Sequence, residues 1–151
     1  MSIKISFKTP VAEKNIKNYV LFANENFEIN GLSKLTLNKH SNLIKKTINS
    51  NKSKNRDFLT FNFNSNQKIT LINLKKDYSS LINEKIGAKF YKYLKDNFVS
   101  HSTFLENNII ESSKKNINFF EEFIHGLQLK SYEFNKYISK KKENNISINI
   151  I

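Results

Sequence analysis

The sequence has no cysteine, one proline and three glycines in 151 residues. Without cysteine there is no disulfide framework and no thiolate metal site, and the chain suits a reducing compartment. So little glycine and proline argues against a low-complexity or extended chain. Long apolar runs are also missing. No window approaches the roughly 20 apolar residues of a membrane-spanning helix. The N-terminus, Met1-Ser2-Ile3-Lys4-Ile5-Ser6-Phe7-Lys8, alternates apolar and polar residues and is not a signal peptide. A cytoplasmic protein without a membrane partner is the expectation.

Arginine is nearly absent as well. The formal charge of +12 rests on 25 basic residues, of which only Arg56 is an arginine. Such a charge invites a nucleic-acid reading, yet arginine is the residue that grips phosphates and guanine edges bidentately. Heavy use of Lys, Asn and Ile together resembles the drift of an AT-rich genome, so a generic basic surface is the simpler account. The densest run, Lys140-Lys141-Lys142, reads as a solvated loop. DNA is kept as a rival partner.

What is present points to one α/β domain spanning 1–151. This length supports a single core that buries about 68–70% of the unfolded surface, and 13 Phe and 6 Tyr supply it. The organising stretch is Asn118 to Tyr137. Phe119, Phe120, Phe123, Ile124 and Leu127 recur at the spacing of one helical face, and apolar residues continue at Leu129, Tyr132, Phe134 and Tyr137. Gly126 interrupts this helix at a cost of about 1 kcal/mol relative to alanine. Close helix-to-sheet packing is the preferred explanation, and a helix break before Leu127 is the alternative.

Taken in order, Ile3, Ile5 and Phe7 predict a strand that stops at Thr9-Pro10. The continuous run Asn18 to Ala23 predicts a strand covered on both faces. Asn30-Gly31 marks a turn. Leu35, Leu37, Leu43, Ile44 and Ile48 suggest a helix to about Asn49, capped by Asn38 or Ser41. Phe58–Phe63 and Ile69–Leu74, joined by Asn64-Ser65-Asn66-Gln67, predict an antiparallel hairpin. A helix from about Ser79 carries Leu81, Ile82, Ile86, Phe90, Tyr93 and Leu94. A strand near His101–Leu105 and a last one at Ile146, Ile148 and Ile150 complete the order β-β-α-β-β-α-β-α-β. That order implies a three-layer mixed sheet with helices on both faces. The last strand runs straight into Ile151. Either it is a C-terminal edge strand, or the chain stops where a larger protein continues.

Catalytic patterns are missing. His40, His101 and His125 are far apart, and no His-Glu-x-x-His or Cys/His cluster exists. His125, beside the apolar helix face, reads as a packed or half-exposed histidine. Glu121 and Glu122 point about 100° apart on a helix, so they are taken as first-turn or solvent-face acids. Gly31, Gly87 and Gly126 are isolated, so there is no glycine-rich phosphate loop, and no serine occurs in Gly-x-Ser-x-Gly. The residues alone lead to an α/β domain without a visible active site.

Gly126, Leu129, Tyr132, Phe134, Tyr137 and Lys140 fall on a pattern, G-x-x-L-x-x-Y-x-F-x-x-Y-K-x-K, that resembles the end of the N-terminal domain of the leucyl (cytosol) aminopeptidase family. Ile138 stands where that pattern usually has lysine. The strand Lys68–Leu74, followed by Lys75-Lys76-Asp77 and a helix containing Gly87-Ala88, is similar to the same domain, although Leu74-Lys75 replaces its usual glycine. The resemblance implies a macro-like α/β N-terminal domain that precedes a larger catalytic domain. That second domain would supply two divalent metal ions (Zn or Mn), the active-site Lys and Arg, and the core of a homo-hexamer. Its N-T-D-A-E-G-R signature is not in these residues. No catalytic, cofactor-binding or metal-ligating residue is therefore assigned within 1–151. The implied partner is an aminopeptidase catalytic domain, in cis or in trans. The rivals are a basic macro-like module for nucleotide, ADP-ribose or DNA, and a structural subunit that recruits a separately encoded partner.

Overall fold

The computed structural model describes residues 3–8, 12–51, 56–76, 79–132 and 145–151. Six strands form one mixed sheet: β1 (Ile3–Phe7), β2 (Asn18–Ala23), β3 (Phe58–Asn62), β4 (Lys68–Asn73), β5 (His101–Phe104) and β6 (Ile146–Ile150). Their spatial order is β1-β6-β5-β2-β4-β3, parallel throughout except for β3, which pairs antiparallel with β4. The helices are α1 (Ser41–Asn51), α2 (Ser80–Asp96), α3 (Glu106–Ser112) and α4 (Phe119–Ser131). Short 3-10 helices precede β2 and α1. Among the described residues no helix is long and apolar enough to cross a membrane.

β2 is central, and all six of its residues are buried. Its alternation splits the core in two. Val20 and Phe22 face α2 and α4, while Tyr19 and Leu21 face α1 and the 3-10 segments. On the first face Phe22 meets Phe119 and Phe123 edge-on at 5.0 and 5.2 Å, the arrangement that the ring quadrupoles favour. Phe119, Phe123 and Leu127 are fully buried, so α4 does organise this core.

Its apolar face ends sooner than the spacing suggests. Leu129 is 54% and Tyr132 78% exposed. Leu129 lies about 200° around the helix from Leu127, and Tyr132 lies beyond the last helical turn. Phe134, Tyr137 and the Lys140–Lys142 run fall outside the described residues, as does the Thr9-Pro10 stop. Leu43 and Leu81 are likewise exposed, and Ile44 and Ile48 alone carry the core face of α1. Ser41 is the first residue of α1, and Asn38 lies inside the 3-10 helix before it.

Two readings of the sequence need correction. Gly126 does not break α4, and what it serves is helix-to-helix packing. A Cβ there would lie 2.0 Å from the Glu84 carbonyl oxygen of α2, and a Cβ on Gly87 would lie 1.9 Å from the Phe123 carbonyl oxygen of α4. The two glycines let the helix backbones touch. The last strand is also not an edge strand: β6 sits between β1 and β5, and the Ile151 N–H donates to the Phe104 carbonyl at 3.1 Å.

Candidate functional site

In an open α/β sheet, ligands occupy the crevice beyond the carboxyl ends of the strands, where the chain order reverses. Here β2 leads outward to β3 and β4, and α2 carries the chain back to β5 on the other side. The reversal therefore falls between β2 and β5. Those strands pair only at Tyr19 with Thr103 and Val20 with Phe104. Beyond that point the edge of β2 needs another partner.

Asn108, in α3, is that partner. Its Oδ1 accepts from the Phe22 N–H at 2.7 Å, and its Nδ2 donates to the Phe22 carbonyl at 3.1 Å and to the Asn30 carbonyl at 2.7 Å. The side-chain amide thus imitates a neighbouring peptide and fills the reversal point. It is fully buried. Ser112 Oγ donates to the Asn108 carbonyl at 2.7 Å and accepts from Asn30 Nδ2 at 3.1 Å, so α3 and the loop after β2 lock together. The α3 segment, Glu106-Asn107-Asn108-Ile109-Ile110-Glu111-Ser112, has two adjacent isoleucines and no helical period. Nothing in its pattern announces a helix or a buried amide.

The same lock continues outward. Gly31 has a left-handed φ of 68°, and a Cβ on it would lie 2.4 Å from Glu111 Cγ. Glu111 pairs with Lys34 and with Lys114, the latter at 2.6 Å. Hydrogen bonds from Lys114 first and Lys34 second hold its carboxyl below the ordinary glutamate value. A depressed carboxylate stabilises the fold above its unfolded pKa, and that contribution fades as pH falls through the folded value. Acid unfolding of the Glu111→Gln variant is therefore expected to start from a less stable protein at neutral pH and to be less steep below about pH 4.5. An unchanged acid limb in circular dichroism titration would remove this role.

Beside the lock, between the loop after β2 and α1, opens a cleft of about 790 Å³ lined by Asn26, Gly31, Ser33, Asn38, Lys45 and Asn49, among others. Its back wall includes Phe27, whose φ is 62° and whose ring is buried. Asn24 Oδ1 fixes that turn by accepting from the Asn26 and Glu28 N–H groups. The cleft offers amides, the Ser33 hydroxyl, the Glu28 carboxylate and one lysine; Glu28 accepts from Asn24 Nδ2 at 2.7 Å, and no hydrogen bond joins it to Ser33 among the described residues. At the carboxyl end of β4, the buried Asn73 Oδ1 has no hydrogen-bond partner among the described residues.

The three histidines lie on separate elements. His40 meets the Phe63 ring edge-on at 5.0 Å. His101 lies at the opposite end of the sheet, and His125 Nδ1 pairs with Glu84 at 2.8 Å while remaining half exposed. Among the described residues no three His, Cys, Asp or Glu side chains converge. They do not fit the metal pair that the aminopeptidase resemblance places in a catalytic domain. Glu121 and Glu122 both lie in the first turn of α4, as expected, and Glu122 in addition accepts from the buried Asn83 Nδ2 at 2.7 Å and so ties α4 to α2. On the outer side of that helix pair, exposed Leu81 and Leu129 flank Gly126 in a shallow depression with Lys85 and Lys130.

The architecture has known counterparts. No protein-family profile matches the chain, and no curated protein sequence does. Over 99% of this chain the fold is similar to part of a mutant tomato leucine aminopeptidase, with a TM-score of 0.64 and 20% identity, and it spans 32% of that enzyme's length. It is also similar to the macrodomain of Thermus aquaticus DarG, with a TM-score of 0.54 and 8% identity over 99% of this chain and 98% of that one. The fold is macro-like, as expected.

Proposed function

We propose that this chain is the non-catalytic N-terminal domain of a leucyl aminopeptidase, and that it positions and assembles a catalytic domain supplied in cis or in trans. The observation that carries the reading is the closed reversal point. The place where a sheet of this kind would take a ligand is occupied by the chain's own Asn108. The fit of the whole chain to about a third of an aminopeptidase supports the same view, and exposed Leu81 and Leu129 give it an apolar surface for contact. In this reading the two divalent ions belong to the catalytic domain, where a metal-bound hydroxide would attack the peptide carbonyl. The homo-hexamer and the cytoplasmic location belong to the same proposal.

Purified 1–151 is expected to release no leucine from a leucyl substrate in the presence of zinc or manganese. Clear hydrolysis abolished by a chelator would sink the reading. The second reading, a stand-alone basic macro-like module for a nucleotide or DNA, draws on the match to nearly the full length of a macrodomain and on the 790 Å³ cleft. Its DNA form requires log K to fall steeply with log salt.

A further inference from the structure

The opposite end of the sheet, at the amino ends of the parallel strands, holds a second cleft of about 440 Å³. Its floor is a chain of hydrogen bonds across four strands. Thr60 Oγ1 donates to Thr70 Oγ1 at 3.0 Å, Thr70 Oγ1 donates to Asn18 Oδ1 at 3.1 Å, and Asn18 Nδ2 donates to Ser102 Oγ at 3.2 Å. Since the Thr60 proton is already committed, the Tyr93 hydroxyl donates to Thr60. Buried polar groups are costly unless paired, and here the polar line comes to the surface instead of being replaced by apolar side chains.

The rim is cationic. Lys17 and Lys68 line the cleft beside His101, and none of its lining residues among those described is Asp or Glu. The main chains of the two lysines are adjacent, with the Lys68 N–H donating to the Lys17 carbonyl at 2.8 Å, and both residues line the cleft. Neither ammonium has a partner among the described residues.

Phe98 stands at the mouth. α2 ends in a six-to-one bond from the Val99 N–H to the Leu94 carbonyl at 2.9 Å, enclosing one from the Phe98 N–H to the Lys95 carbonyl at 3.2 Å. That motif needs a left-handed residue where glycine is usual. Phe98 supplies it, with φ 54° and 86% of its surface exposed. The chain thus accepts both backbone strain and an unburied aromatic ring at one position. Within the described fold neither is repaid by packing, and an outlier of this kind points to function.

We propose that this cleft binds a phosphorylated planar ring, of which a nucleoside monophosphate is the simple case. The ring stacks on Phe98, the phosphate sits at Lys17 and Lys68, and the polar floor receives the sugar. A volume of about 440 Å³ lies within the ordinary range for small ligands, roughly 300–1,000 Å³. The site is separate from the carboxyl-end crevice and from the outer face of α2 and α4, so it stands or falls independently of the aminopeptidase reading.

The test uses the full chain at low salt with adenosine monophosphate, adenosine and inorganic phosphate as probes, followed by NMR amide shifts and calorimetry. Adenosine monophosphate is expected to bind at least about tenfold more tightly than either fragment, because ring and phosphate contacts add. Phe98→Gly should weaken it by about tenfold while raising the melting temperature, since glycine relieves the left-handed strain. A Lys17→Gln, Lys68→Gln double variant should weaken it by a similar factor and flatten its salt dependence. Failure to bind at millimolar nucleotide, binding indifferent to Phe98→Gly, or amide shifts centred on 24–33 would each overturn the proposal. A Phe98→Gly variant that melts earlier would instead make Phe98 a structural residue.

Discussion

Asn108→Leu is expected to lose about 3–5 kcal/mol of folding stability, although leucine keeps the heavy-atom branching of asparagine. The substitution deletes three hydrogen bonds. It leaves the Phe22 N–H without its acceptor and removes a donor from two carbonyls, in a place closed to water. Each buried group left unpaired costs about 1–3 kcal/mol. The Phe22 carbonyl keeps a second donor, the Asn30 N–H at 3.1 Å, which is why the sum stays below the maximum. For a chain of this length the melting temperature should fall by roughly 10 °C or more. Asn108→Asp separates the contributions. A carboxylate can still accept from the Phe22 N–H, but it turns an acceptor towards the two carbonyls that Asn108 satisfies. Its deficit should therefore shrink as pH falls and the acid regains a donor. Denaturant titration of the two variants checks both points. A loss below about 1 kcal/mol for Asn108→Leu would mean that water reaches the reversal point, and the argument for a closed crevice would fail with it.

The chain order of the strands and the three-layer arrangement of helices about one sheet were legible because long, periodic segments carry them. The run Asn18–Ala23 has no polar alternation, and a strand of that kind is covered on both faces. Phe119, Phe123 and Leu127 sit four apart, and the core helix follows. The closed reversal point was illegible for a matching reason. Asn108 does its work through a contact 86 residues away in sequence, from a seven-residue helix too short to show a period. The chain has many asparagines, so one more draws no notice. The amino-end cleft is hidden in the same way. Asn18 and Ser102 lie near strand starts while Thr60 and Thr70 read as ordinary polar residues within strands, and only the register of four strands makes them one line. Phe98 looks like one more core aromatic until the backbone shows it outside. The apolar face of α4 reads too long at Leu129 and Tyr132, because apolar residues continue there past the point where the helix face turns to solvent.

Gly87→Ala and Gly126→Ala are each expected to destabilise the fold by about 3 kcal/mol, against the usual benefit of alanine in a helix. Alanine returns about 1 kcal/mol of helix propensity, so the steric loss must exceed that by a wide margin. Extra methyl groups in a packed core cost about 1–3 kcal/mol when side chains can adjust. Here the obstacles are backbone: the Phe123 carbonyl oxygen at 1.9 Å and the Glu84 carbonyl oxygen at 2.0 Å. No rotamer change relieves either contact, and α2 and α4 must move apart by more than an ångström. That movement lifts Phe123 and Leu127 away from Phe22 and Phe90, so the cost passes into the aromatic core. It also stretches the Glu122–Asn83 hydrogen bond across the same pair of helices. Because one separation of the helices accommodates both methyl groups, the double variant should lose clearly less than the two single losses added together. Residues that share a backbone shift couple in this manner by about 0.5–3 kcal/mol. Ala88→Gly, one residue along α2 and half exposed, is the control and should cost only its propensity, about 1 kcal/mol. If either glycine variant proves as stable as the parent, or the double variant is strictly additive, the helices do not touch at this crossing. Close approach would then no longer explain why a helix-disfavouring residue stands at both positions.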